Sequence, residues 1–473
     1  NDYRKTMIPK DFAEYTRRLM GDALYTILES GLAQEPPVSV RLNPFKAHDG
    51  LDGCERVPWC EWGYWLTERP AFTFDPLLHA GLYYVQEASS MFITEAVRQC
   101  IERGIISREP LLAADICAAP GGKSTALRTV LPEGSLLFSN EPMKPRASVL
   151  KENMVKFGHP DVIVTNNFPR DYKKTGLKFD LVVADVPCSG EGMFRKDAGA
   201  IDEWSTQNVE KCRLLQRSII EDIWPCLKPG GTLVYSTCTF NAHEDEENVQ
   251  WIADTLGAEF MALDVPGQWN ITGALAGSMP CYRFIPGRTR GEGLFMAVLK
   301  KNGNNKNDKA ATAESKGKTK RKATEFDKWL MGDFSVVEAN DDLRAIPSRW
   351  LATYDDVVKK LHVIHAGVEL GTRKGKAIIP STSLALSTAL NLSAFPQAEL
   401  DFNQAINYLR KEAVTLPMGA PRGFTLVSYR QHPLGFVKNI GQRANNLYPQ
   451  EWKIKSSHVP SSASSLPWRA IAP

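Results

Sequence analysis

The chain of 473 residues has no long apolar run, and no stretch approaches the roughly 18 apolar residues that a membrane-spanning helix needs. The first residues, NDYRKTMIPK, lack the apolar core of a secretory signal. The nine cysteines have no disulfide-like rhythm, and Cys188 has no second cysteine at the spacing of a zinc ligand pair. We therefore expect a cytoplasmic protein, without a membrane span or a bound metal.

The net charge of +3 is too small to indicate a partner, but the charge is unevenly distributed. Residues 300–322 (KKNGNNKNDKAATAESKGKTKRK) contain nine Lys and Arg residues against Asp308 and Glu314, which gives a local charge of +7. This segment has no aromatic residue, and its composition is typical of a flexible linker. A solvated tether and a contact with nucleic acid phosphates both fit this segment.

Residues 111–300 alternate apolar strands with helical stretches, which is typical of a parallel sheet covered by helices. The predicted parallel strands are 111–118, 134–140, 160–166, 179–186 and 231–238, and the predicted antiparallel edge pair is 281–286 and 293–300. We therefore predict an α/β protein with a doubly wound, Rossmann-like central domain. An α+β cap precedes that domain, and a small, mostly β region with some helix follows it.

The basic segment also suggests where the chain divides. We predict an N-terminal cap or RNA-binding region over 1–105, a catalytic domain over 106–301, a linker over 302–325 and a C-terminal region over 326–473. If this division is also a division into folding units, removal of the C-terminal region should leave ligand binding by the catalytic domain nearly unchanged. We expect the protein to be a monomer.

A glycine-containing turn follows the first predicted strand, in DICAAPGGKST (115–125). Its small residues let backbone N–H groups approach a ligand closely. Glu141 ends the second strand, where a carboxylate can accept hydrogen bonds from a ribose diol. NAD, a nucleotide or S-adenosylmethionine would fit these features, and an unliganded turn is the alternative. The turn is neither G-x-G-x-x-G nor a P-loop, which weakens the dinucleotide and nucleotide interpretations.

Two cysteines follow neighbouring strands of the predicted sheet. The fourth strand, FDLVVADVP (179–187), leads to Asp185 and Cys188, and the fifth leads to Cys238 in YSTCTF. Most free cysteines are small buried apolar residues. In open α/β sheets, however, ligands bind beyond the carboxyl ends of the strands. Two thiols at that edge, beside a nucleoside-type turn, indicate a shared site.

These motifs carry a resemblance to a known family. DICAAPGGKST, ADVPCSGEGMFRK and YSTCTFNAHEDEENV resemble the successive signatures of the Sun-type family of RNA cytosine-5 methyltransferases. The similarity also covers 38–44, 81–91 and 283–301. Beyond the linker, 367–387 and 434–454 are similar to the C-terminal region of bacterial 16S ribosomal RNA enzymes of this kind. The resemblance therefore covers nearly the whole chain.

The resemblance implies an S-adenosylmethionine-dependent enzyme that methylates C5 of cytosine in RNA, with small-subunit ribosomal RNA as its partner and a PUA-like RNA-binding module. C5 of cytosine is a poor nucleophile, so a thiolate must first add to C6. DNA cytosine methyltransferases use the Pro-Cys thiol, which would nominate Cys188 here. The Sun-type family uses the cysteine on the next strand, which implies Cys238 as the nucleophile. Cys188 then assists proton removal and product release.

The resemblance also implies the remaining site residues. Asp185 holds the cytosine or orients the methionine end of the cofactor, and Lys123 counters its charge. The family usually has an acidic residue near the end of the third strand, but VTNNFPRDY (164–172) has Phe168 there, so Asn167 is the predicted adenine contact. The predicted cofactor-binding residues are Cys117, Ala118, Ala119, Pro120, Gly121, Gly122, Lys123, Glu141, Asn167, Phe168 and Asp185.

Two other functions compete with this interpretation. One is methylation of transfer RNA or DNA, and the other is a non-catalytic RNA-binding assembly factor. The paired thiols argue against the assembly factor, because binding alone needs none. Outside the motifs, Arg41, Arg195 and Lys196 are candidate phosphate ligands or ordinary surface charges, and His243 is a candidate base or a residue beginning a capped helix.

Overall fold

The computed structural model describes residues 8–303, 325–416, 419–441, 443–456 and 459–469, with short gaps at 461 and 463–465. Residues 304–324, which make up most of the predicted linker, lie outside the described residues.

The helices and strands of the described residues are numbered in chain order. The α-helices are α1 (Lys10–Leu32), α2 (Pro76–His79), α3 (Phe92–Glu102), α4 (Gly122–Arg128), α5 (Lys144–Phe157), α6 (Ala198–Glu203), α7 (Thr206–Ile223), α8 (Glu246–Trp251), α9 (Leu351–Val357), α10 (Thr382–Leu386) and α11 (Phe402–Leu409). The strands of the first 303 residues are β1 (Val38–Leu42), β2 (Glu55–Arg56), β3 (Gly63–Leu66), β4 (Tyr83–Val85), β5 (Leu112–Asp115), β6 (Leu136–Asn140), β7 (Val162–Thr165), β8 (Phe179–Asp185), β9 (Leu227–Thr237), β10 (Ala258–Phe260), β11 (Tyr282–Phe284) and β12 (Leu294–Lys301). The later strands are β13 (Phe334–Ala339), β14 (Asp342–Pro347), β15 (Val363–Ala366), β16 (Val368–Lys374), β17 (Ala377–Pro380), β18 (Gln397–Glu399), β19 (Gly423–Tyr429), β20 (His432–Asn439) and β21 (Ala444–Asn446).

A nine-stranded sheet forms the centre of the molecule, in the order β10-β12-β9-β8-β5-β6-β7-β15 with β11 paired to β12. Strands β5 to β9 are parallel to one another, and the strand order reverses between β5 and β8. This confirms the predicted doubly wound fold and places the switch point beside the glycine-containing turn that follows β5. The predicted antiparallel pair is present as β11 and β12, but β12 also pairs with β9 and β10 and therefore lies inside the sheet.

Both faces of the central sheet are covered, which explains why its strands are continuously apolar. Alternate side chains of β8 enter two separate apolar clusters: Leu181 and Val183 on one side, Val182 and Ala184 on the other. Helices α3, α4 and α5 cover the first face, and α7, α8 and α9 cover the second. The loops at the strand ends are thus held by a core on each side.

The N-terminal region has the predicted α+β character. Its sheet has the order β2-β3-β1-β4, and α1 is interrupted at Gly21, whose φ of 75° is favoured by glycine. Apolar residues of this sheet share one cluster with residues from Ala398 to Leu466. The cap therefore packs against the end of the chain as well as against the catalytic domain.

The C-terminal region contains two four-stranded sheets, β13-β14-β16-β17 and β18-β19-β20-β21. A further strand, β15, leaves this region and pairs antiparallel with β7, joining Val363 to Thr165 and Ala366 to Ile163. It covers what would otherwise be the open edge of the parallel sheet. One strand of the central sheet therefore comes from beyond the predicted linker, and independent folding of the two halves stays a prediction. The predicted domain boundaries themselves stay predictions.

In the parts of the chain that the structure describes, no helix has the length and apolar character needed to cross a bilayer. The same residues contain no group of three or more His, Cys, Asp or Glu side chains arranged to hold a metal ion.

Candidate active site

The turn between β5 and α4 is held in place from two sides. Gly121 has a φ of 115°, in the left-handed region that glycine favours, and α4 begins at the next residue. Beneath the turn, Ser124 Oγ donates to Asp115 Oδ2 at 2.7 Å. From α5, Asn153 Nδ2 donates to the carbonyl oxygen of Pro120 at 2.8 Å. The backbone of the turn is thus fixed before any ligand arrives.

Glu141 lies directly after β6 and is only 1% exposed. Its Oε1 accepts the backbone N–H of Met143 at 2.9 Å. Its Oε2 has no hydrogen-bond partner among the described residues, although Arg146 Nη1 lies 3.5 Å away. A buried carboxylate oxygen without a hydrogen bond is costly, so a ligand hydroxyl would satisfy it. This geometry fits the ribose contact predicted for Glu141.

Asn167 and Phe168 follow β7, at the other side of the same edge. Asn167 Oδ1 accepts the backbone N–H of His362 at 2.9 Å, and Asn140 Nδ2 donates to the Asn167 carbonyl oxygen at 2.8 Å. The Phe168 ring is 52% exposed, with the Arg170 guanidinium 4.8 Å from its centre. The side-chain oxygen of Asn167 thus holds the segment before β15. The adenine contacts of Asn167 and Phe168 stay predictions.

Lys123 and Asp185 form an ion pair at the switch point, with 2.8 Å between Nζ and Oδ2. Ser236 Oγ on β9 donates to the other carboxylate oxygen of Asp185 at 2.7 Å. Burial alone would lower the pKa of Lys123, but the Asp185 carboxylate raises it above its ordinary value. Lys123 is therefore cationic at neutral pH, and its position orients the carboxylate.

The two predicted cysteines meet at the ends of β8 and β9. Their sulfur atoms are 3.0 Å apart, and the backbone N–H of Cys238 donates to Cys188 Sγ at 3.3 Å. The hydrogen bond with Cys238, together with burial, raises the pKa of Cys188 well above its ordinary value. The arrangement therefore favours the protonated thiol of Cys188, and either sulfur can be the donor in the contact between the two.

Two buried carboxylates that sequence reasoning missed tie the cysteine loops together. Glu244 accepts from the backbone N–H of Ser189 at 3.0 Å and from Asn241 Nδ2 at 2.8 Å. Glu191 accepts the backbone N–H of Phe240 at 2.7 Å and Asn241 Nδ2 at 3.1 Å. Burial raises the pKa of Glu244 to about 7. Glu191 lies in the motif around Cys188, and Glu244 lies in the motif around Cys238. Only the fold shows that the side chain of each binds the backbone of the other motif.

The structure shows the surroundings of Arg195, Arg41 and His243, each of which the sequence left with two interpretations. Arg195 is buried, pairs with Glu292 at 2.7 Å between Nε and Oε2, and is therefore not a phosphate ligand. Arg41 is 1% exposed and is excluded from any open phosphate-binding surface. His243 precedes α8 and bonds Glu247 through Nδ1 at 3.0 Å. Arg41 and Arg195 are held by segments distant in sequence, which the local pattern cannot reveal, whereas the partner of His243 lies only four positions away.

Comparison with protein families assigns three parts of the chain. Residues 108–300 match the family described as 16S rRNA methyltransferase RsmB/F. Residues 8–88 match the N-terminal domain of 16S rRNA methyltransferase RsmF, and residues 395–454 match the RsmF PUA domain. These matches confirm the predicted order of a cap, a methyltransferase domain and a C-terminal PUA-like module.

Similar sequences extend over most of the chain. A ribosomal RNA small subunit methyltransferase F from Shewanella loihica is 29% identical over 433 residues, which cover 88% of this chain and 87% of the relative. The protein of the same name from Escherichia coli (strain 55989 / EAEC) is 30% identical over 421 residues, with 84% of each chain covered.

Solved structures support the central fold. A methyltransferase homologue from Pyrococcus horikoshii matches with a TM-score of 0.52 and 26% identity, covering 62% of this chain and 95% of that one. NSun6 from Pyrococcus horikoshii, solved with SFG, matches with a TM-score of 0.52 and 19% identity over 63% of this chain and 99% of that one. Both cover the greater part of the chain but leave more than a third of it unmatched.

Proposed function

Because the chain belongs to the ribosomal RNA small subunit methyltransferase F family, we propose that it methylates C5 of a cytosine in 16S ribosomal RNA with S-adenosylmethionine as methyl donor. The observation that carries the proposal is the pair of sulfur atoms 3.0 Å apart, at the strand edge that also holds the Lys123–Asp185 ion pair. A methyltransferase that acts on an already nucleophilic atom needs no thiol pair, whereas cytosine C5 requires prior attack at C6.

S-adenosylmethionine supplies an electrophilic methyl group on a sulfonium sulfur. The backbone of the turn, from Cys117 to Lys123, approaches the methionine part of the cofactor. Glu141 would accept hydrogen bonds from the ribose, and Asn167 with Phe168 would border the adenine, while orientation of the methionine end is the alternative role of Asp185. The unpartnered Oε2 of buried Glu141 supports the ribose assignment.

Cys238 attacks the target base in the proposed mechanism. Its thiolate forms a bond to C6 of cytosine, and the electron pair of the C5–C6 double bond moves to C5. Asp185 accepts a hydrogen bond from the cytosine amino group, while Lys123 holds the carboxylate in place. After C5 is methylated, the C5 proton leaves, the C6–S bond breaks, and its electron pair returns to the Cys238 sulfur.

Cys188 serves the second half of this sequence. In the free protein its hydrogen bond to Cys238 is the largest cause of its raised pKa. That cause disappears once the Cys238 sulfur is bonded to C6, because the sulfur then carries no charge. Burial still favours the protonated thiol, so in the proposed sequence Cys188 must pass its own proton to solvent before it accepts the proton that leaves C5. The same hydrogen bond stabilises the Cys238 thiolate before attack.

The C-terminal region supports ribosomal RNA as the partner, because residues 395–454 match a PUA domain assigned to RsmF. We propose that the cap (1–105), the catalytic domain (106–301) and the C-terminal region (326–473) act together on one RNA, with 302–325 joining the last two. Transfer RNA is the alternative substrate, and an assembly factor without catalysis is the alternative function.

Methyl transfer with defined RNA tests the proposal. Full-length protein is incubated with labelled S-adenosylmethionine and either 16S ribosomal RNA lacking the modification or transfer RNA, and bisulfite sequencing then locates 5-methylcytosine. We expect label in 16S RNA at a cytosine that resists bisulfite. Label in transfer RNA alone would replace the substrate assignment. Binding of 16S RNA without any transfer of label would support the assembly factor.

A further inference from the structure

A cavity of about 200 Å³ lies between the N-terminal sheet and α5, outside the groups used in the proposed mechanism. A buried water needs only about 10 to 15 Å³ on the same measure, so the cavity is much larger than a water site. Its walls include Arg41, Leu78, Tyr84, Val85, Asn153 and Phe157. No residue of the cofactor turn, and neither thiol of the cysteine pair, is among the groups that line it.

Arg41 is a buried cation in the wall of this cavity. Its Nε donates to Gln86 Oε1 at 2.7 Å, and its Nη2 donates to Thr125 Oγ1 at 2.6 Å. Its Nη1 has no hydrogen-bond partner in the described residues. Burial lowers the pKa of Arg41 to about 10, so the guanidinium is still charged at neutral pH. A buried charge with a free donor is costly unless a ligand completes it.

The chemistry of the cavity walls indicates which ligand would accept a hydrogen bond from Arg41 Nη1. Tyr84, Phe157, Leu78 and Val85 present mostly aromatic and aliphatic surface, which suits a planar ring better than a hydrated anion. The other cation of the lining, Lys156, is already paired with Glu152 at 2.5 Å. One free guanidinium donor beside aromatic walls allows a single hydrogen bond to an acceptor on a purine edge, and O6 or N7 of guanine, the acceptors that arginine contacts most often, suits it.

We propose that this cavity binds an unpaired guanine base of the RNA substrate, distinct from the target cytosine. The proposal rests on the proposed function, because the base belongs to the RNA that the enzyme methylates. Arg41 Nη1 donates to the base edge, and Tyr84 provides the aromatic face against which the ring packs.

The position of the cavity explains what a second bound base would do. Arg41 Nη2 also donates to the carbonyl oxygen of Gly122 at 3.3 Å, and Asn153 binds the carbonyl oxygen of Pro120. Both contacts reach the turn that precedes Lys123, whose amino group binds Asp185. A base in the cavity therefore holds the RNA against the same turn that positions the catalytic ion pair, and it helps to select which cytosine enters.

Guanosine, which carries no phosphate, is the probe for this site. Its binding to the full-length protein is measured by ligand-observed NMR, with inorganic phosphate and cytidine measured separately. Leu78→Trp fills the cavity without touching the turn, and Val358→Trp adds the same bulk at an exposed position elsewhere. We expect guanosine to bind the wild type and Val358→Trp equally and Leu78→Trp at least tenfold more weakly. The affinity for S-adenosylhomocysteine should be the same in all three proteins.

RNA methylation gives the second measurement. Leu78→Trp should raise the KM for RNA about tenfold and leave kcat unchanged, because the base in the cavity positions RNA without touching the reacting atoms. Guanosine binding that is unaffected by Leu78→Trp would overturn the proposal, and so would binding of phosphate in place of guanosine. A wild type that binds guanosine in the cavity but methylates no RNA would refute the proposed function and leave the cavity assignment standing.

Discussion

The two ends of the parallel sheet hold their functional groups in different ways. At the cysteine end, β8 and β9 bring together Cys188 and Cys238, which lie 50 positions apart in the sequence. At the other end, β7 and β15 bring together Asn167 and His362, which lie 195 positions apart and on opposite sides of the linker. The first contact forms within the catalytic segment, whereas the second needs the C-terminal region.

The chemistry of the contacts differs as well. Buried carboxylates, Glu191 and Glu244, cross between the loops of the cysteine end and accept hydrogen bonds there. The β7 end is held by backbone bonds, such as that from Asn166 N–H to the His362 carbonyl oxygen at 3.0 Å, and by the neutral amide oxygen of Asn167, which accepts the His362 N–H. We expect formation and release of the covalent adduct to depend mainly on the cysteine end, and cofactor affinity to depend also on the β7 end.

The largest effect is expected from the cysteines. Cys238→Ala should abolish methyl transfer and the covalent RNA adduct, because no bond to C6 can form. Cys188→Ala should still allow attack and methylation but stall elimination, so a covalent protein–RNA complex should accumulate. A denaturing gel with labelled RNA distinguishes the two, since the complex migrates as a slow band.

The opposite assignment of the two thiols predicts the mirror image on the same gel. An adduct that persists in Cys238→Ala and is absent from Cys188→Ala would make Cys188 the nucleophile. Cys212→Ala serves as the control, because Cys212 is a free cysteine that takes no part in the proposed reaction. It should retain wild-type turnover.

Asp115 is the last residue of β5, the strand that lies between the cysteine end and the β7 end of the sheet. Burial raises its pKa from 3.8 to about 7, so the folded protein binds more protons here than the unfolded chain between those values. The free energy of unfolding should therefore fall as pH rises from about 4 to about 7, by at most ~1.4 kcal/mol per pH unit. Asp115→Asn should remove this part of the slope, which urea unfolding at several pH values measures. An unchanged slope would show that Asp115 is ionised throughout.

The β7 end is tested with a matched pair of variants at an exposed residue. His362→Pro removes the backbone N–H that Asn167 Oδ1 accepts, whereas His362→Ala keeps it. The loss of one such hydrogen bond is worth about 1 kcal/mol, so His362→Pro should weaken S-adenosylhomocysteine binding roughly fivefold. His362→Ala should bind as the wild type does, by calorimetry. Equal affinities in the two variants would mean that β15 does not contribute to the cofactor site.

The smallest effect is expected at the RNA-binding surface. Lys438 is exposed on β20 and can contact a phosphate of single-stranded RNA. Lys438→Gln should then reduce the slope of log RNA affinity against log salt concentration by about 0.7. Affinity for S-adenosylhomocysteine should not change. Filter binding at several salt concentrations measures the slope, with Lys211→Gln on α7 as the control. An equal reduction of the salt slope in both variants would indicate non-specific attraction between the protein and RNA.

Much of the catalytic half could be predicted because its signals are local. The apolar runs that form β5 to β9 are buried on both faces of the sheet. Short βα connections place most of these strands next to a strand that is near in sequence. The candidate residues Asp185, Cys188 and Cys238 follow from the rule that parallel strands end at one edge. The C-terminal region could be recognised only as mostly β, because its strands are short and their partners lie far away in sequence.

The sequence by itself determined which segments form the parallel strands, where the glycine turn lies and which thiols meet, since each depends on residues within one α/β unit or on its neighbour. Only the tertiary structure decided that β15 completes the catalytic sheet, that Arg41 and Arg195 are buried, and that Glu191 and Glu244 join the two cysteine loops. The physical reason is that burial and pairing are properties of the whole packed chain. The sequence around a charged residue does not show whether that residue will be surrounded by solvent, by a distant strand or by a carboxylate from another loop.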